Sequence, residues 1–475
     1  MSESSDPAPN LELSPEAMRA MGEAALRAVV EHIAALPGMP RSGLEGSAEL
    51  TASLREPPPE TGTEFGPLLG LLMTKIFPAS LNSAHPTYVA YIPGGGLFPA
   101  AVADFIGAAT NRYTGAWFAA PAAVRLETNV LEWFARWMGY PDSARGILTS
   151  GGSLANFSAV VAARKHILAD DLGRGVLYAS DQTHYCVMKV ASLAGIPERN
   201  MRLLETDANF RAKPALFDEA IRADIRCGLR PFLLVGNAGT TNTGAVDPLT
   251  DLAEVAGRHG LWYHLDAAYG GFFNLCEEGK RRLAGLELSD SIVLDPHKGL
   301  FLPYGSGSLL VKNGELLRRA HMMSAEYLQD VETPEGEVSP AEYSPELSRA
   351  YRGLRVWLPL KLYGVRAFRE NLEEKLRLAR WLYEKLRQEP DVECLGEPDL
   401  SVVAYRFLPK SGDANEFNRR LVRAINKSRK LFISSTTLRG MFILRACVLS
   451  FRTHQAEIEE IFETIISEAR RLGRE

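Results

Sequence analysis

Hydrophobic positions recur along this chain with two different periods, and the changes between them divide it into three stretches. The first opens at Ser14-Pro15-Glu16, which supplies an N-cap, a proline at the first helical position and an early acid. Met18, Met21, Ala25, Val29, Ile33 and Leu36 then fall on one helix face, until Pro37-Gly38 ends the helix. Residues 41 to 64 are rich in Pro, Gly and Glu, so this face is expected to pack on another domain or on a second subunit. From about residue 145 to 312 short apolar runs, GILTS, GVLYAS, PFLLVGNAG, LWYHLDAAYG, SIVLDPHK and SGSLLVK, alternate with longer amphipathic stretches. This alternation predicts an α/β unit with a mostly parallel sheet. The polar residues follow the apolar runs, where open α/β sheets bind ligands.

Residues 322 to 348 keep no period and carry three prolines, which predicts a long loop of the kind that is usually functional. An amphipathic stretch runs from Arg352 to Leu386. A closing helix is expected from Thr453, with Ile458, Ile461, Phe462, Ile465, Ile466, Ala469 and Leu472 on one face. Together they imply a smaller C-terminal α+β domain.

Composition narrows the partners. A net charge of -5 with acids and bases interleaved leaves no basic stripe for a nucleic acid or an anionic membrane. The five cysteines are odd in number, scattered and never in a CxxC pair, so neither a disulfide framework nor a zinc site is expected, and no metal is assigned. The N-terminal stretch is acidic without an apolar h-region, and no run approaches the ~18 apolar residues that span a bilayer. A cytoplasmic protein acting on a small molecule is the expectation.

Three motifs carry chemistry. Asp295-Pro296-His297-Lys298-Gly299 follows the apolar run SIVL, and a lysine there, beside apolar surface, can have its amine lowered toward neutrality, as a Schiff-base nucleophile requires. Alone, such a lysine is more often a solvated charge. Asp266 ends the run LWYHLD 32 residues upstream and can pair with a protonated pyridine nitrogen, while Ala267 and Ala268 let a flat ring lie close. Its bland alternative is an acid capping a turn. Gly151, Gly152 and Ser153 open a helix after GILTS and offer a phosphate free N–H groups at the positive end of the helix dipole. The chain has no GxxxxGK[ST] and no GxGxxG, so nucleotide sites lack support.

In this order and at these spacings the motifs resemble the fold-type I pyridoxal-phosphate enzymes. SDQTH, DAAYGG and DPHKG are similar to those of the group II amino acid decarboxylases, whose members act on aromatic amino acids, histidine or glutamate. The likeness runs from about His85 to the C-terminus and is strongest to the aromatic branch. It implies a helical N-terminal arm over 1–84 that forms a homodimer. A large cofactor-binding domain follows over 85–348, with a mobile catalytic loop at 322–345, and a small domain over 349–475. It also implies pyridoxal 5'-phosphate as cofactor, with Lys298 forming the Schiff base, Asp266 holding the pyridine nitrogen and Ala268 lying against one ring face. His184 would stack on the other face, Thr241 would lie near the phenolic oxygen, and Ser153, the Leu154 amide and His297 would hold the phosphate. Arg445 matches a position near the substrate carboxylate, although an arginine in an apolar strand can equally be salt-bridged. Tyr327 matches a loop tyrosine whose phenol protonates the quinonoid carbon after CO2 leaves.

The resemblance places His85, Tyr88 and Trp117 in stretches that build an aromatic side-chain pocket, which favours Trp, Tyr, Phe or Dopa-like substrates. Gly299, Gly115 and Ser348 depart from the aromatic pattern and suggest a roomier or more polar pocket, keeping histidine or an acidic amino acid open. An aldehyde synthase would carry Phe in place of Tyr327. An aminotransferase would need a keto acid acceptor, and a non-catalytic cofactor-binding protein is the remaining alternative.

Overall fold

The computed structural model describes residues 10–323 and 333–474. The apolar runs become strands where the pattern puts them: β1 (Arg145–Thr149), β2 (Gly175–Ser180), β4 (Arg230–Asn237), β5 (Trp262–Asp266), β6 (Ser291–Leu294) and β7 (Gly307–Val311). One strand went unanticipated. β3 (Met201–Leu204) lies at the sheet edge with none of its four residues buried, so it lacks the apolar signature of its neighbours. The seven strands form one sheet in the order β1-β7-β6-β5-β4-β2-β3. β6, β5, β4, β2 and β3 pair in parallel, and β7 runs antiparallel to both β1 and β6.

Side chains alternate across a strand, so β5 feeds two cores. Tyr263 and Leu265 enter one hydrophobic cluster, and Trp262 enters the other. His264 and Asp266 share the face of Trp262 by the same period. Over that face lies the helix Gly152–Ile167, which meets the sheet through fully buried Ala155, Ala159, Ala162 and Ala163. Small side chains let the helix backbone come close, which brings its first turn to the strand ends.

The N-terminal helix forms as expected. Ser14 Oγ accepts from the Ala17 amide at 3.2 Å, Pro15 takes the first position, and the helix Pro15–Ala35 ends in a 3-10 turn over Leu36–Gly38. None of its residues is buried, and Met18, Leu26 and Val30 remain exposed. At the other end, β8 (Val392–Cys394), β9 (Val402–Phe407), β10 (Ser434–Leu438) and β11 (Met441–Cys447) form an antiparallel sheet ordered β10-β11-β9-β8.

Three details refine the sequence reading. The amphipathic stretch from Arg352 is helical in two segments, because Gly364 breaks it with a φ of 71° that residues with a Cβ rarely adopt. The closing helix starts at Gln455 with His454 as its cap, because the buried Thr453 hydroxyl is committed to the Pro86 carbonyl at 2.5 Å. Within the expected mobile loop, Val338, Ser339, Pro340, Tyr343 and Ser344 are buried, so residues 338–344 are part of the packed body.

Burial lowers the pKa of His85, His264 and His321 to about 4. In the unfolded chain each takes up a proton near the ordinary value of about 6.5, so stability falls as the pH drops from there toward 4. Buried Asp247, raised to about 6, acts in the opposite sense, one group against three. Thermal midpoints measured across this window should therefore decline with acidification; a flat or rising profile would contradict the neutral, buried state of these histidines.

Candidate active site

β4, β5 and β6 are consecutive in the sheet, so the segments leaving their carboxyl ends emerge side by side. β5 ends on Asp266, and β6 leads through Asp295 into one helical turn, Pro296–Gly299, that carries His297 and Lys298. β4 leads into Gly239-Thr240-Thr241, and β1 into Gly151-Gly152-Ser153. These segments converge on a cavity of about 390 Å3. Ser153, Leu154, His184, Thr241, Asp266, Ala268, His297 and Lys298, all the residues expected at a cofactor, line this one cavity.

Lys298 Nζ lies 2.9 Å from Asp295 Oδ2. Burial pushes the amine down, as the sequence suggested, but the Asp295 and Asp266 carboxylates outweigh it and hold Lys298 above the ordinary lysine value. The expectation of an amine tuned toward neutrality is therefore corrected: without a bound ligand Lys298 is an ammonium. The Asp295 carboxylate is almost fully buried, and its Oδ1 has no hydrogen-bond partner among the described residues. A Cβ on Gly152 would lie 3.0 Å from Asp295 Oδ2, so glycine lets the turn after β1 close over this carboxylate.

Both cavity histidines are driven toward neutrality by burial. His297 donates from Nδ1 to the Ser306 carbonyl. His184 Nδ1 accepts from the Cys186 amide at 3.3 Å, which leaves Nε2 as the protonated nitrogen of the neutral ring. The loop before His184 is braced by Asn237, whose Nδ2 donates to Thr183 Oγ1 at 3.0 Å and to Asp247 Oδ2 at 2.8 Å. Asn242 Nδ2 donates to Gln182 Oε1 at 3.2 Å. The SDQTH and NAGTT segments are thus fastened to each other.

Four residues expected at the substrate are not brought to this cavity. His85 is buried, with its ring nitrogens engaged by the Pro37 carbonyl at 3.3 Å and the Thr87 amide at 3.0 Å. Tyr88 is buried and stacks on Phe432 with ring centroids 5.5 Å apart. Trp117 opens a 3-10 turn, its amide donating to Ser339 Oγ at 3.0 Å. Arg445, on β11, makes no ion pair among the described residues. It donates to the Asn242 carbonyl at 2.8 Å, Ser434 Oγ at 2.7 Å, the Tyr91 carbonyl at 3.4 Å and the Thr241 carbonyl. It therefore touches the cavity through the Thr241 turn. Tyr327 lies outside the described residues.

The three unusual positions do not enlarge the cavity. A Cβ on Gly299 would meet Phe272 Cβ at 2.8 Å, and one on Gly115 would meet the Leu347 carbonyl at 2.2 Å. Both glycines answer to packing, and exposed Ser348 is not in the lining. Conversely, sequence reasoning passed over Asn156, Cys186 and Asp295, which do line it. Asp295 was legible as the acid three residues before Lys298. Asn156 and Cys186 carry no such local signal.

The donor set fits pyridoxal phosphate: an amine for an aldehyde, a strand-end carboxylate for a ring N–H, and a helix N-terminus that no side chain caps for a phosphate. Residues 52–408 match the model of the pyridoxal-dependent decarboxylase conserved domain. The chain belongs to the pyridoxal-dependent decarboxylase family. It is 35% identical to the aromatic-L-amino-acid decarboxylase of Bacillus atrophaeus, covering 96% of each chain. It is 31% identical to a phenylacetaldehyde synthase of Arabidopsis thaliana, over 83% of this chain and 84% of that one. Its fold superposes on the crystal structure of Oryza sativa TDC with PLP and tryptamine at a TM-score of 0.93 and 28% identity, covering 98% of this chain and 99% of that one. This decarboxylase is accordingly a pyridoxal-phosphate-dependent carboxy-lyase of fold type I.

Asp295→Asn removes a charge that keeps Lys298 protonated. The apoenzyme of this variant should take up pyridoxal phosphate with a pH midpoint below that of the unaltered protein, as followed by absorbance; an unmoved midpoint would contradict the pairing.

Proposed function

We propose that this enzyme decarboxylates an aromatic L-amino acid, of the tryptophan, tyrosine, phenylalanine or Dopa kind, and releases the amine. The observation that carries the reading is the convergence of Lys298, Asp266 and His184 on one cavity beside an uncapped helix N-terminus. Relatives named for aromatic substrates support the substrate class. Pyridoxal phosphate, when bound, supplies the electron sink for the pair left at Cα as CO2 departs.

The protein's share is binding, orientation and proton control. Lys298 Nζ must shed its proton before it can attack a carbonyl, and the ion pair with Asp295 Oδ2 at 2.9 Å holds the amine in place at the cavity. Asp266 would hold the ring nitrogen of the bound cofactor. Ser153, the Leu154 amide and His297 hold the phosphate, with the Leu154 amide turning from the Gly151 carbonyl that it now meets at 3.2 Å. Ala268 and His184 would hold the two faces of the ring, with the Nε2–H of His184 available to the substrate carboxylate. Arg445 acts on that carboxylate through the Thr241 turn that it clamps. Tyr327 returns a proton to Cα.

His85, Tyr88 and Trp117 belong to the substrate side, which we place at the interface of a homodimer. The uncovered apolar face of the helix Pro15–Ala35 supports that assembly. Tyr327 favours the amine as product over the aldehyde.

The test is to offer all proteinogenic amino acids with Dopa and 5-hydroxytryptophan and to score CO2, amine and aldehyde. Aromatic substrates should dominate; a preference for histidine or glutamate would overturn the substrate class. Tyr327→Phe should retain the cofactor yet lose at least about tenfold in amine yield, the low end of what one general acid contributes, with aldehyde rising in its place. Undiminished amine output would remove Tyr327 from its role.

A further inference from the structure

Trp262, His264 and Asp266 are alternate residues of β5, so the strand's two-residue period sets all three on one face. Ser291 on β6 is the register partner of His264. Above them, the close approach of the alanine-lined helix Gly152–Ile167 brings down Asn156. All but Asp266, which fronts the cavity, are 3% exposed or less.

Their hydrogen bonds form a chain. Trp262 Nε1 lies 2.7 Å from Ser291 Oγ, Ser291 Oγ 2.8 Å from His264 Nδ1, and His264 Nε2 2.8 Å from Asn156 Oδ1. Asn156 Nδ2 reaches Asp266 Oδ2 at 3.4 Å and Cys186 Sγ at 3.7 Å.

Chemistry gives this chain a direction. An indole nitrogen only donates and a carboxylate only accepts, so Ser291 Oγ accepts from Trp262 at one end, Asn156 turns Nδ2 to Asp266 at the other, and the Ser291 proton is left for His264 Nδ1. The imidazole, kept neutral by burial, then carries its proton on Nε2 and donates to Asn156 Oδ1. That fixes the amide, because the reverse orientation would set its oxygen against a carboxylate and a thiol sulfur. Both N–H groups of Asn156 are therefore committed, one of them to Asp266. The opposite face of the carboxylate is held by the Ala268 amide, which donates to Oδ1 at 3.2 Å.

We propose that Trp262, Ser291, His264 and Asn156 form a one-way hydrogen-bond relay that ends on Asp266 and holds its carboxylate oriented for the cofactor's pyridine nitrogen. These four are positioning residues. The inference rests on the role given to Asp266 above. Besides His264, the titratable groups facing Asp266 are His184 and Cys186 from the segment after β2 and Lys298 from the turn after β6, with Asp295 behind Lys298. None of these is altered by the variants below.

The test reads the ring nitrogen itself. The holoenzyme is reconstituted with pyridoxal phosphate carrying 15N in the ring, and the 15N shift is followed against pH. Loss of its hydrogen bond to Asp266 should lower the pH at which the ring nitrogen deprotonates by about one unit or more in Asn156→Leu, and His264→Leu, which frees the Asn156 amide to turn away, should shift it in the same direction. Cofactor affinity, titrated on the apoenzymes, should weaken by about tenfold. Ser291→Ala, remote from the cavity, should shift the titration in the same direction by less. His264→Gln, whose amide N–H can reach Asn156 Oδ1, should restore much of the wild-type value. Variants that lose thermal stability while the 15N titration stays in place would overturn the relay and leave Asp266 as proposed. An unprotonated ring nitrogen in the unaltered enzyme would instead overturn the role of Asp266, and the relay with it.

Discussion

One ammonium, Lys298 Nζ, faces two carboxylates that arrive from neighbouring strands, and much of the large sheet serves to keep these three charges together. Asp266 ends β5, and Asp295 and Lys298 follow β6, so parallel pairing of β5 with β6 decides that they meet. Charges taken this far from water stand only when paired and hydrogen-bonded. The turn over Gly151-Gly152 and the alanine face of the helix behind it let the backbone close around them. The same enclosure explains why burial fails to lower the Lys298 amine: the lysine was not buried alone.

Much of this was legible because the chemistry sits where the pattern changes. Ser153, Asp266 and Lys298 end or follow the apolar runs that became β1, β5 and β6, so they could be named from the pattern, whereas Thr241 was named through the family resemblance. What stayed hidden depends on contacts across the fold. His264 carries no local signal in LWYHLD; its strand partner Ser291 and the overhead Asn156 give its nitrogens somewhere to go. The packing that requires glycine at 299 and 115 was equally hidden, because each is set by a neighbour distant in sequence, Phe272 and Leu347. β3 was missed because an exposed edge strand need not be apolar.

The cofactor side and the substrate side are built differently. The first stands on the strand ends of the large sheet, cross-braced by Asn237 and Asp247. The second, as proposed, would draw on His85, Tyr88 and Trp117, which pack away from the cavity, and on Tyr327.

The account stands most directly on which amine captures the cofactor. Reduction of the holoenzyme with borohydride followed by peptide mapping should place a single phosphopyridoxyl group on Lys298, in the peptide containing Asp295-Pro296-His297. A label on another lysine, or none at all, would contradict it.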